Sequence, residues 1–244
     1  MPDFALRRAL SSLGRRISGK PWQGVELELP CVRLGTDYGG YAVLKDGVNA
    51  DSIVYSFGLG EDISFDLALM ERTGCQVFGF DPTPRSIAWV RAQQLPPGFH
   101  LQELGVAGYD GKASFAPPRD PTHVSHSMVA PAGSGNASGN ASGDASGKVE
   151  FEVRRLPTLM KELGHDRLDL LKMDVEGAEY EVIDDLLAQG LRPRQLLVEF
   201  HHGAHGIRLA KTESSLKKLR QAGYAIFDVQ PSGHEFSLAL SGQT

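Results

Sequence analysis

The chain has 244 residues, 41% of them hydrophobic and 23% charged, a balance that lets a globular protein bury a substantial core in one large α/β domain or two small ones. Its net charge of −5 excludes the broad basic footprint that releases counterions from phosphates, so no nucleic-acid partner is expected. Two cysteines, Cys31 and Cys75, cannot build a disulfide framework or a four-thiolate zinc site, and no apolar run approaches the roughly 20 residues that cross a bilayer.

Residues 3–20 carry Phe4, Leu6, Leu10, Leu13 and Ile17 at near-helical spacing, interleaved with Arg7, Arg8, Arg15, Arg16 and Lys20. A basic amphipathic helix of this kind suits an anionic membrane surface, or it packs peripherally on its own domain; the second reading is preferred. The early arginines leave no continuous apolar stretch for an export signal, and with two free thiols the expected location is cytoplasmic. Residues 25–34 and Tyr41–Leu44 flank a turn containing Asp37, Gly39 and Gly40, which predicts a small β structure. Residues 1–48 therefore read as an N-terminal helix and β extension, and 49–244 as the main domain.

From Ile53 strands and helices alternate. Ile53–Phe57 is a short apolar strand. Ile63, Phe65, Leu67 and Met70 form one face of a helix that Asp62 is placed to cap and Gly74 to stop. Gln76–Phe80 is the second strand, 84–94 a helix with proline at its start, and 100–107 the third strand. The stretch 133–147 repeats an Ala-Ser-Gly unit without any large apolar residue, so 131–148 reads as a flexible insertion, with 123–128 before it as a lid or a tolerated loop decoration. Strands follow at 168–173, 196–200, Tyr224–Val229 and 236–240, with helices at 178–188 and 212–222. Alternation of this kind predicts an α/β fold with a mostly parallel sheet covered on both faces. The last two strands lie too close for a crossover helix and should pair antiparallel.

In such sheets ligands bind beyond the carboxyl ends of the strands, where strand order reverses. The first strand ends in Ser56-Phe57-Gly58-Leu59-Gly60-Glu61-Asp62, where the glycines permit a sharp bend close to a ligand. The next ends in Asp81, placed to accept hydrogen bonds from a ribose diol. A dinucleotide fingerprint would have glycine in place of Ile63 and a helix N-terminus free for pyrophosphate. Glu61 and Asp62 stand there instead. Carboxylates repel a diphosphate but suit a sulfonium and an ammonium group, which favours S-adenosyl-L-methionine over a nicotinamide or flavin dinucleotide, although one of the two acids also suits helix capping.

The fourth strand runs into Lys172-Met173-Asp174-Val175-Glu176-Gly177-Ala178-Glu179, which opens the next helix. Asp174 sits at the lip of the same crevice, where an acid could orient or deprotonate an acceptor hydroxyl. The phrase KMDVEGAEYEVI resembles the hallmark of FkbM-type methyltransferases. VYSFGLGEDISFD, GFDPTP and LLVEFH resemble the same superfamily, particularly its methyltransferase-like branch. There an Arg-x-Gly…Gly-Gly segment, here Arg33 to Gly40, precedes the first cofactor strand.

The resemblance covers most of residues 32–240 in the expected order. It implies a Rossmann-like class I methyltransferase with a seven-stranded, mostly parallel sheet whose last strand is inserted antiparallel. It also implies methyl transfer from S-adenosyl-L-methionine, commonly to an oxygen of a sugar or natural-product acceptor, so the expected partner is a small-molecule or glycan acceptor. Carried over by position, Gly58 and Gly60 match the cofactor loop, Asp81 the ribose-binding acid, and Asp174 with Glu176 the strand-four motif. Ser56 departs from the pattern, since many class I enzymes have an acid there; Glu61 is the substitute contact for the methionine amine.

Glu199 and His201 follow the fifth strand two residues apart and would share one face, with His202 and His205 nearby. With Asp174 they make either a direct acid–base and acceptor-contacting group or, less favoured, a two-carboxylate, one-histidine metal site. A polar strand end bonded to neighbouring backbone is the simplest alternative. Two other functional classes fit the same residues: a non-catalytic nucleoside-binding or scaffold protein of this fold, and, ranked last, an NAD-dependent oxidoreductase.

Overall fold

The computed structural model describes residues 23–116, 127–128, 149–204 and 206–242. The helix expected over 3–20, the insertion at 131–148, residues 123–126 and His205 lie outside the described residues. Among those described, no helix is long and apolar enough to cross a membrane.

In chain order the elements are β1 (Cys31–Leu34), β2 (Tyr41–Leu44), β3 (Ile53–Phe57), α1 (Ser64–Thr73), β4 (Gln76–Phe80), α2 (Pro84–Arg91), β5 (Phe99–Gln102), β6 (Gly105–Val106), β7 (Gly111–Ala116), β8 (Ser127–Met128), β9 (Val149–Arg154), α3 (Leu156–Leu163), β10 (Leu170–Met173), α4 (Glu179–Ala188), β11 (Gln195–Glu199), α5 (Leu209–Gln221), β12 (Tyr224–Val229) and β13 (Glu235–Leu240). The main sheet has seven strands in the order β12-β13-β11-β10-β3-β4-β5. All are parallel except β13, which pairs antiparallel with both β11 and β12. This is the Rossmann-like arrangement with its last strand inserted antiparallel.

Side chains alternate between the two sheet faces, so each central strand feeds two cores. Tyr55, Phe57, Phe80, Leu171 and Val198 pack on one side with residues of α3, α4 and α5. Val54, Val77, Leu170 and Leu197 pack on the other with α1, α2 and the β1–β2 hairpin. Strands buried on both faces read as continuous apolar runs, as Ile53–Phe57 does. Local signals set the helix ends: Gly74 takes φ 73° and donates its N–H to the Met70 carbonyl (2.8 Å), and Pro84 opens α2. The hairpin is tied to the sheet by Ser237 Oγ donating to the Ala42 carbonyl (2.9 Å) and Leu44 N–H donating to Gln195 Oε1 (2.9 Å).

Expectation and structure differ in three regions. The 25–34 strand begins only at Cys31; upstream, Glu26 and Leu27 instead donate their N–H groups to the Ile226 carbonyl. The 100–107 strand is divided: β5 joins the main sheet, while β6 joins a second sheet of order β6-β9-β7-β8. Lastly, β7, β9 and α3 are not anticipated at all, although Leu156, Leu159, Met160 and Leu163 have helical spacing and Gly164 supplies a left-handed C-cap (φ 74°).

The strand order reverses between β3 and β10. Register then fixes what meets there. Phe57 pairs with Met173 on one side and Phe80 on the other, and Met173 pairs with Val198. The next residues, Gly58, Asp81, Asp174 and Glu199, therefore lie at one level along the sheet's carboxyl edge, the first three just beyond their strands and Glu199 at the end of β11.

Candidate active site

Gly58 is held in the switch-point crevice by contacts no other residue would permit. Its φ is 76°, and a Cβ built on it would lie 1.7 Å from the Asp174 carbonyl oxygen. The backbones of the two strand ends thus touch, with Gly58 N–H donating to the Phe80 carbonyl (3.0 Å) and Asp174 N–H to the Phe57 carbonyl (3.1 Å). Gly60 also has a positive φ, 54°, but a Cβ there would meet nothing within 4 Å.

Asp81 closes this turn. Its Oδ2 accepts from the N–H groups of Leu59 (3.1 Å) and Gly60 (3.0 Å), and its Oδ1 from the N–H and hydroxyl of Thr83 (2.8 and 2.5 Å). The buried carboxylate clasps the glycine turn to the head of α2 and still lines the crevice. From below, Lys172 Nζ donates to the Gly58 carbonyl (3.2 Å) and lies 5.5 Å from the centre of the Tyr41 ring.

The acids beside the glycines are engaged within the chain. Glu61 makes a two-point pair with Arg85, at 2.8 and 3.0 Å. Asp62 Oδ1 accepts from Ser64 N–H (2.8 Å), the first residue of α1, and Oδ2 from the Thr36 hydroxyl (2.5 Å). Burial opposes the charge on Asp62, but these bonds hold its carboxyl below the ordinary range. Ser56 is fully buried and is not among the residues lining the crevice. Its side of β3 faces α1, where burial pushes the Asp66 carboxyl up against the opposing influence of Lys172 and Ser56. The Ser56 side chain, expected at the cofactor, is thus buried beneath the crevice on the α1 side of β3 and does not line it.

The β10 and β11 side of the crevice is acidic. His201 Nε2 lies 3.5 Å from Asp174 Oδ1 and 3.6 Å from Glu176 Oε2, and its Nδ1 lies 3.5 Å from Glu179 Oε1. Glu179 is fully buried. Its Oε1 also accepts the His201 backbone N–H (2.9 Å) and its Oε2 the Gly177 N–H (2.8 Å), tying the motif loop to the end of β11. Glu176 takes φ 48°, the one positive φ outside glycine among the described residues. Such backbone strain persists where surrounding bonds impose it.

Charge crowding sets the ionisation. Burial works against the His201 cation, but Glu179, Asp174 and Glu176 outweigh it and push the imidazole to about 9. Burial, then the Asp174 charge, push the Glu199 carboxyl to about 8. Burial also raises Asp174, with Lys172 and His201 opposing.

Among the described residues the carboxylates within 4 Å of the His201 ring are Asp174, Glu176 and Glu179, while Glu199, expected beside His201, interacts with it through charge. The strand ends at Glu199, Phe200 N–H donates to the His234 carbonyl (2.9 Å), and the chain turns His201 toward β10, where Glu179 is the carboxylate facing its Nδ1. The set of potential metal ligands within 4.8 Å of one another is Asp174, Glu176 and His201; Glu199, expected as the third ligand, is not part of it. Sequence reading also leaves Tyr38, Lys172, Thr83 and Glu179 without roles at the site. The last three adjoin motif residues, but their partners depend on which strand ends lie side by side.

These residues open on one cavity of about 650 Å³, large enough for a nucleoside cofactor and a small acceptor together. Gly58, Gly60 and Asp81 line it together with Asp174, Glu199 and His201, with Gly58 against Asp174 where the two groups meet. Tyr38, in the β1–β2 turn, lines it as well and is 85% exposed.

The chain has relatives among known methyltransferases. The chain is 27% identical over 189 residues to a probable methyltransferase-like protein 24 of Homo sapiens, covering 73% of this chain and 43% of that protein. It is also 27% identical over 139 residues to the 2-O-methyltransferase NoeI of Sinorhizobium fredii, covering 54% of this chain and 56% of that one. The chain spans less than half the length of the methyltransferase-like relative. Among solved structures, a methyltransferase FkbM from Methylobacillus flagellatus KT aligns with a TM-score of 0.47 at 10% identity, covering 78% of this chain and 43% of that chain. Residues 49–226 match the methyltransferase FkbM domain, and the chain belongs to that family of methyltransferases.

Proposed function

We propose that the chain transfers the methyl group of S-adenosyl-L-methionine to a hydroxyl oxygen of a small-molecule or glycan acceptor. The observation that carries this reading is the single cavity that joins the glycine turn and Asp81 to the acidic cluster around Asp174. The family membership supports methyl transfer, and the similarity to NoeI, a 2-O-methyltransferase, supports an oxygen acceptor.

In this reading the nucleoside lies against Gly58 and Gly60, where the absence of side chains admits it, and its ribose reaches Asp81 in place of the Thr83 hydroxyl. The acidic cluster around Asp174 and Glu176 complements a sulfonium. When bound, the cofactor supplies an already activated methyl group, so the protein's contribution is orientation in line with the carbon–sulfur bond. Asp174, Glu199 and His201 hold the acceptor oxygen on the far side of that methyl group.

The test is transfer of radiolabelled methyl from S-adenosyl-L-methionine to a panel of mono- and oligosaccharides and hydroxylated small molecules. Asp174→Ala should reduce turnover at least about a hundredfold, the scale expected for loss of a positioned acid–base group, while binding of S-adenosylhomocysteine stays within a few-fold. An Asp174→Ala protein with ordinary turnover would remove this residue from the mechanism.

A further inference from the structure

We propose that Asp174, Glu176 and His201 form a binding site for a divalent first-row transition-metal ion of the manganese class. One oxygen from each carboxylate and Nε2 of the imidazole lie within 4.8 Å of one another, close enough to share a single ion. The three come from two separate elements: Asp174 and Glu176 from the loop after β10, and His201 from the turn after β11.

A second observation concerns the other side of the histidine. Metal-bound imidazoles are commonly backed by a carboxylate at the second ring nitrogen, which sets the ring's orientation and raises its basicity as a ligand. Here Nδ1 faces the fully buried Glu179 at 3.5 Å. Glu179 is itself immobilised by the backbone N–H groups of Gly177 and His201. That arrangement directs Nε2 toward Asp174 and Glu176 and leaves their common side facing the cavity.

Donor chemistry selects the ion. Two carboxylates favour hard, oxygen-seeking cations, while an imidazole favours a transition metal over magnesium or calcium. Three protein ligands leave coordination positions for water or for an acceptor oxygen. A bound ion would lower the acceptor hydroxyl's pKa. The hydroxyl then releases its proton to water, its oxygen bonds to the methyl carbon, and the carbon–sulfur electron pair remains on sulfur. This role, unlike binding itself, rests on the methyl-transfer reading above.

The test is titration of the full chain with manganese(II), followed by calorimetry and electron paramagnetic resonance, with S-adenosylhomocysteine titrated into the same preparation. One ion should bind per chain. His201→Ala and Glu176→Gln should each weaken binding at least about tenfold, and Glu199→Gln should leave it within about twofold. Where a variant fails to fold, manganese added to the natural sequence should still broaden the His201 ring resonance in a nuclear magnetic resonance spectrum. An unbroadened His201 signal, or manganese affinity unchanged in a folded His201→Ala protein, overturns the site. Nucleoside binding without manganese binding overturns the metal proposal alone, and manganese binding without nucleoside binding overturns the methyl-transfer reading alone.

Discussion

Gly58 and Gly60 show how two residues of one type can carry different constraints. Both have positive φ, but only Gly58 is pressed against another backbone, its missing Cβ falling 1.7 Å from the Asp174 carbonyl oxygen. Gly60→Ala should cost about 1–2 kcal/mol, the penalty for a left-handed L-residue. Gly58→Ala adds a backbone clash and should cost roughly 3 kcal/mol or more. Chemical denaturation of the two variants checks the difference; equal losses would mean that the strand ends separate more readily than their contact suggests. Asp81 shows a related double duty, because its carboxylate organises the glycine turn before any ligand arrives. Substituting it therefore changes the shape of the site as well as one contact.

Among the elements, α3 depends on a distant acid. Asp110 Oδ1 accepts the Arg155 N–H (2.7 Å) and Oδ2 the Thr158 hydroxyl (2.9 Å), satisfying groups at the start of the helix. The Arg155 backbone bond, with that from Thr158, holds the Asp110 carboxyl below its ordinary range. A carboxyl depressed by folding stabilises the protein above its unfolded pKa, and the gain is lost as pH falls through the lower, folded value. Asp110→Ala should thus lower stability by about 1 kcal/mol at neutral pH, and the gap to the natural sequence should close in acid. Denaturation curves at pH 7 and at acid pH check this; a gap that persists unchanged in acid would contradict it.

Legibility at this scale follows physical range. The strands β3, β4 and β10 are apolar runs with helix punctuation beside them, so their local chemistry announces them. Likewise Gly58, Asp81 and Asp174 are readable because each ends such a run. By contrast, β7 (GKASFA) offers only a short alternation built mostly of small residues and exists by pairing with β9, more than 30 residues away. The true partner of His201 is equally hidden, since Glu179 meets it only because β10 and β11 are neighbours in the sheet. The place of Ser56 in the motif suggests the crevice, whereas the structure buries its side chain on the α1 side of β3.

For the whole molecule, fold and family agree while the chemistry of the acceptor is a matter of the cavity. The β1–β2 hairpin shares a core with the main sheet and brings Tyr38 to the acidic side of the crevice, so residues ahead of the matched 49–226 region help to shape the site. Because the chain spans less than half of its methyltransferase-like relative, the activity of the larger protein is not transferred here. The central claim is that this crevice takes a sulfonium nucleoside and not a dinucleotide. Isothermal titration with S-adenosyl-L-methionine, S-adenosylhomocysteine and NAD tests it most directly. Both sulfur nucleosides should bind with one site per chain, NAD should not, and Asp81→Ala should weaken the sulfur nucleosides at least about tenfold; a folded protein that binds neither sulfur nucleoside, or that prefers NAD, would contradict the account.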